Sequence, residues 1–170
     1  VWCIRGGYGA MRILEGVAYD AVRRRPKAVI GYSDITALHA AIGRVCRVMT
    51  YHGPTARGEI TPFSRNSFER ALLFGADPCG TAHGARVVRP GVARGRVMGG
   101  NLALLSALVG TPYATDLDGA ILVLEDVNEP LYRVNRMLRQ LLLSGALARV
   151  VALAFGQCQG CDDAEDSAED

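Results

Sequence analysis

Apolar positions along the chain fall into short runs alternating with stretches of helical spacing. Val1-Trp2-Cys3-Ile4 is apolar and stops at Arg5-Gly6-Gly7-Tyr8-Gly9, which predicts a strand followed by a glycine turn. A helix is expected over 10–24, ended by Pro26. Ala28-Val29-Ile30-Gly31 reads as a buried strand, and 34–45 as a helix with Ile35, Leu38, Ala41 and Ile42 on one face. Val48-Met49-Thr50-Tyr51 is a third short strand, closed by His52-Gly53-Pro54. Periodicity fades over 75–95, where Gly, Pro and Arg crowd together. Gly95-Arg96-Val97-Met98 then runs into Gly99-Gly100-Asn101, and Asn101 suits the N-cap of a helix reaching about 109. Residues 119–124 form the clearest strand, ending in Glu125-Asp126. A helix over 131–143 carries Val134, Met137, Leu138, Leu141 and Leu142 as a stripe and stops at Ser144-Gly145; a last strand covers 150–155.

Strands alternating with helices predict an α/β fold, a parallel sheet flanked by helices. The expected organisation is an N-terminal α/β lobe over 1–75 and a crossing over 76–95. Part of a smaller C-terminal α/β lobe follows over 96–161, then an acidic tail over 162–170. A sheet built only from these pieces would be thin, and the chain opens directly in a strand without Met, so the sequence reads as part of a longer frame.

Composition narrows the function classes. With 170 residues, 49% hydrophobic and 21% charged, and a mean hydropathy of +0.14, the chain has the apolar mass of a globular core. No apolar run approaches the roughly 18–20 residues of a membrane span. The start lacks the pattern of a secretory signal, and a cytoplasmic, membrane-free protein is expected. The net charge of +2 hides an asymmetry, because the last nine residues hold six acids and no base. The scattered bases and 6% aromatic residues provide no stacking series for nucleic acid, and no nucleic-acid partner is expected. Five cysteines include Cys158-Gln159-Gly160-Cys161, but no second ligand pair follows it, so neither a metal site nor a cofactor is expected and reduced thiols are.

Chemistry concentrates at Ile30-Gly31-Tyr32-Ser33-Asp34-Ile35-Thr36. A buried strand enters a tight turn with a serine at its apex and passes at once into a helix, which lifts a hydroxyl above the sheet edge. Only the first half of G-x-S-x-G is present, and Ser33 and Asp34 are equally good helix caps. A serine nucleophile needs a base and the base an orienting group. Glu125, at the end of an apolar strand, suits the orienting role, whereas Glu129 suits a helix first turn. Among the histidines, His39 is expected to point away from the turn, His52 to border the site, and His83 to lie in the crossing. The Gly6-Gly7 turn can cradle an anion with backbone N–H groups, as an oxyanion hole does, or be a plain turn.

Together these segments resemble the LD-carboxypeptidase family of serine peptidases. The resemblance rests on Arg5-Gly6-Gly7-Tyr8-Gly9, on Arg12-Ile13-Leu14, and on Ile30 through His39. It continues in Gly99-Gly100-Asn101-Leu102, Gly110-Thr111-Pro112, Ile121 through Glu129, and Tyr132 through Leu138. It implies metal-free cytosolic hydrolysis of the bond between an L-centre and a terminal D-amino acid in murein peptides. A related branch inactivates microcin-type antibiotics, and homodimers are common. Carried over by motif, Ser33 is the nucleophile, Glu125 orients the histidine, and the N–H groups of Asp34 and Gly7 form the oxyanion hole. Gly6, Tyr32, His52 and Asn101 are the candidates for contacting the peptide. The family's triad histidine belongs to a Gly-His segment downstream of the glutamate block, with no counterpart in these 170 residues. Impaired turnover is therefore the expectation for the chain as given.

Overall fold

The structure is a computed structural model describing residues 1–82 and 84–161. His83 and the acidic tail lie outside the described residues. Among the described residues there are two parallel sheets. In the first, β1 (Ile30–Gly31) pairs with β2 (Tyr51–His52), with Ile30 opposite Tyr51 and Gly31 opposite His52. In the second, β3 (Arg96–Asn101), β4 (Ala120–Val127) and β5 (Ala152–Gln159) lie in that order, all parallel. The α/β class read from the alternation is the observed one.

The first sheet is slighter than the sequence suggests. The strand expected over 1–4 shrinks to a single parallel bridge from Trp2 to Ile30. The helix expected over 10–24 is broken into a 3-10 segment, Ala10–Gly16, and α1, Tyr19–Arg24. Gly16 is a poor helix former, and Val17 takes extended angles (φ −71°, ψ 128°), so the hydrogen-bond ladder stops there. α2 (Thr36–Cys46) follows a 3-10 turn over Ser33–Ile35. The structure also contains α3 (Pro62–Leu72), which hydrophobic spacing did not reveal. Its signal was local: Thr61 caps the Ser64 N–H at 3.1 Å and proline occupies the first turn. In the second half, α4 (Leu102–Ala107) and α5 (Leu131–Leu143) fall where expected, with Asn101 capping α4.

Packing follows the strands. β4 alternates cleanly, turning Ala120, Leu122, Leu124 and Asp126 inward and Val123 and Val127 outward. Leu122 and Leu124 join Leu102, Leu105, Leu117, Val134 and Leu141 in the larger core, beneath α4 and α5. Complete burial of each such leucine contributes about 1.5–3 kcal/mol. A second cluster joins the two halves. Ala37, Ala40 and Ala41 of α2 pack with Ala10, Leu14 and Leu108, and the small side chains let α2 and α4 approach closely.

Candidate active site

The C-terminal ends of β1, β2, β3 and β4 carry every functional candidate outside the Gly6-Gly7 turn. This is the edge at which open parallel sheets gather their sites. At the end of β1, Tyr32 is extended and Ser33 turns into the left-handed region (φ 60°) before the helix begins. For a serine this conformation costs about 1–2 kcal/mol. Strain of that kind is typical of an elbow holding a hydroxyl clear of its strand. Glycine makes the turn sterically feasible. A Cβ at Gly31 would come within 3.0 Å of the Ile35 side chain and 3.1 Å of Cys3 Cβ. The Gly6 turn presses directly on the elbow, since a Cβ there would stand 3.1 Å from Ser33 Cβ and 3.3 Å from its Oγ. Asp34, buried, ties the two together by accepting the Ala10 N–H at 2.9 Å. Among the described residues no side-chain hydrogen bond caps the start of α2, so Asp34 holds the 3-10 segment that follows the glycine turn rather than its own helix. Gly7 has φ 123°, a backbone only glycine adopts readily.

His52, at the end of β2, stands between the elbow and Glu125. Tyr32 meets its ring edge-on at 6.4 Å, the His39 ring lies 6.3 Å away, and Nε2 is 3.9 Å from Glu125 Oε1. Burial first, and the neighbouring His39 second, hold His52 below the ordinary histidine range, so this contact joins a neutral ring to the carboxyl group. His39 does not point away from the elbow as expected. It is buried and donates from Nε2 to the Gly31 carbonyl at 2.9 Å, because α2 starts at Thr36 and turns position 39 back toward the sheet. Burial keeps it below its ordinary value as well.

Glu125 is aimed by an irregularity in β5. The register runs from Leu124 opposite Phe155 to Asp126 opposite Cys158, leaving Gly156 and Gln157 against Glu125. Bulges of this kind redirect a side chain beside an active site. Glu125 Oε1 is buried with no hydrogen-bond partner among the described residues. Burial and the adjacent Asp126 carboxylate raise its pKa, and the polar side chain of nearby Asn101 opposes them. Glu129 instead faces Arg133 one helical turn on, Oε2 to Nε 3.2 Å.

Asn101 makes three hydrogen bonds within the protein. Its Oδ1 accepts the Leu104 N–H at 3.1 Å, its Nδ2 donates to Asp126 Oδ1 at 2.8 Å, and its own N–H donates to Thr36 Oγ1 at 3.1 Å. Thr36 and Asp126 were missed by sequence reading. Asp126 had left a signal, a carboxylate on the inward face of an alternating apolar strand. Cys158 and Cys161 are free thiols, Cys161 in the larger core. Among the described residues no group of three or more His, Cys, Asp or Glu is placed to hold a metal.

Comparison with known proteins bears on both halves of this arrangement. The family model of the LD-carboxypeptidase N-terminal domain matches residues 1–53, and that of the C-terminal domain matches residues 94–170. The chain belongs to the LD-carboxypeptidase family. The murein tetrapeptide carboxypeptidase of Pseudomonas aeruginosa (strain PAO1) is 37% identical over 178 residues, covering 95% of this chain and 56% of that protein. Among solved structures, the muramoyltetrapeptide carboxypeptidase from Oxalobacter formigenes superposes with a TM-score of 0.80 at 31% identity, over 98% of this chain and 59% of that one. MccF in complex with glutamyl sulfamoyl guanosine superposes with a TM-score of 0.77 at 25% identity, with the same coverage. The chain spans about half the length of the curated relatives it matches. Every candidate residue falls inside the two matched LD-carboxypeptidase segments.

Proposed function

We propose that this chain supplies the nucleophile and the orienting carboxylate of a serine LD-carboxypeptidase that releases a terminal D-amino acid from murein peptides during cytoplasmic cell-wall recycling. Ser33 attacks the carbonyl carbon of the bond to the D-residue. An imidazole takes its proton, and the N–H groups of Asp34 and Gly7 receive the oxyanion. Collapse expels the D-amino acid, whose amine takes the proton back. Water then cleaves the Ser33 ester by the same steps in reverse order. Gly6, Tyr32, His52 and Asn101 contact the peptide, and no cofactor enters.

The observation that carries this reading is the strained Ser33 backed by Gly6 at the end of β1, together with a buried Glu125 oxygen near the end of β4 that has no donor among the described residues. A buried carboxylate oxygen of that kind suits the ring N–H of the histidine that it orients as base. The family resemblance assigns that imidazole to a downstream Gly-His segment. The test is hydrolysis of a murein tetrapeptide by the full-length protein and by its Ser33→Ala variant. Loss of about 10⁴-fold or more in kcat is expected; equal rates would sink the proposal. The 170-residue chain alone is expected to bind the peptide with turnover near background, and Ser33-dependent turnover by that chain would show that His52 or His39 serves as base.

The likeness to MccF favours one second reading, a peptidase acting on aminoacyl-nucleotide antibiotics. Comparing kcat/KM for a murein tetrapeptide and an aminoacyl sulfamoyl nucleoside separates the two. Pairing as a homodimer belongs to the same proposal and is checked by sedimentation of the full-length protein.

A further inference from the structure

Between Ser33 and Glu125 runs a chain of buried polar groups that substrate contact does not explain. Thr36, three residues after Ser33, is fully buried and accepts the Asn101 N–H at 3.1 Å. The same asparagine hands its amide to Asp126, next to Glu125, at 2.8 Å. Asp126 is 3% exposed and its carboxylate takes three donors, from Asn101 Nδ2, from Ala103 N–H at 3.0 Å and from its own neighbour Val127 N–H at 2.9 Å. Gly100 lets the two sides close up, since a Cβ there would lie 2.7 Å from Thr36 Oγ1 and 3.3 Å from His52 Nδ1. Capping α4 needs only the Asn101 oxygen, which is already in place at Leu104 N–H. A leucine on the inward face of β4 would cost less to bury than a carboxylate. A fully satisfied buried network is the device that fixes a unique geometry.

We propose that Asp126 is a positioning residue. Acting through Asn101 and Thr36, it sets the distance between the Ser33 elbow and the Glu125 strand. This rests on the hydrolase reading given above. It makes the catalytic geometry a property of one hydrogen-bonded string crossing between the two sheets. A misplacement of about 1 Å in such a geometry costs on the order of 10²-fold in rate.

The experiment uses the full-length protein, with hydrolysis of a murein tetrapeptide measured well below the melting temperature of each variant. Asp126→Asn places an amide where three donors converge and is expected to lower kcat by about 30-fold with KM within about threefold. Exchanging the pair, Asp126→Asn with Asn101→Asp, restores an amide-to-carboxylate bond and keeps the α4 cap. It is expected to recover at least about tenfold of the lost kcat. Thr36→Val carries the test should Asp126→Asn fail to fold, with an expected loss of about tenfold in kcat and an unchanged KM. A folded Asp126→Asn or Thr36→Val enzyme with kcat within twofold of wild type overturns the proposal. So does an exchange that restores the melting temperature but not kcat, because the network is then merely structural. A wild-type protein without LD-peptide hydrolysis fails one step earlier, at the function itself, and is recognised before any variant is made.

Discussion

The two sheets hold their functional residues by opposite means. The first has strands of two residues each, and its nucleophile candidate is fixed by tight turns, strained backbone and glycines without which the turns would clash. The second has strands of six and eight residues over a continuous leucine core, and its glutamate is fixed by register, a bulge and a buried polar network. Each device suits its task. A hydroxyl that must stand clear of the chain needs an irregular backbone, whereas a carboxylate that must stay put needs a regular one.

The contrast can be broken most forcefully in the second sheet. Gly99 sits in β3 at φ 147°, and a Cβ there would come within 1.8 Å of the Val123 carbonyl oxygen. Gly99→Ala is therefore expected to cost about 4 kcal/mol or more, read as a collapse of the urea midpoint. Leu122→Ala, at a fully buried position, should cost about 3 kcal/mol with a clean two-state transition. A loss below about 1 kcal/mol would mean that this core does not carry the sheet.

In the first sheet the expected effects are smaller and can reverse sign. Ser33→Gly relieves the left-handed strain and should be about 1 kcal/mol more stable than Ser33→Ala, although both lose the nucleophile. Equal stabilities would show that the elbow stores no strain. The smallest effect is in pH dependence. Burial lowers the folded pKa of His39 below its unfolded value near 6.5. The unfolded chain then binds more protons as pH falls through that value, and stability declines toward acid. Urea midpoints at pH 7 and pH 5 should show a smaller acid loss in His39→Gln than in wild type.

Much of this was legible in the chain. The strand and helix order, the α5 boundaries, the Asn101 cap and the elbow at Ser33 all follow from periodicity and from residues with sharp local preferences. The second sheet was read best because long strands and an amphipathic helix repeat their signal many times. The 3-10 segment, the shortened strands and α3 were missed because each rests on one or two residues, such as Gly16 or the Thr61-Pro62 cap. His39 was misdirected because its facing depends on where α2 begins, and a shift of one residue turns a helical side chain by about 100°.

The sequence by itself determined which residues are chemically equipped: a serine in a turn too tight for most neighbours, a carboxylate closing an apolar strand, and glycines where no Cβ fits. Those are properties of composition and local sterics, which a chain carries before it folds. Only the tertiary structure decided that His52 stands beside Glu125, that Asp34 holds the start of the 3-10 segment at Ala10, and that Thr36, Asn101 and Asp126 form one string. These pairings span 24 to 73 positions, and hydrogen bonds over such separations are set by how sheets and helices pack, which no local pattern encodes.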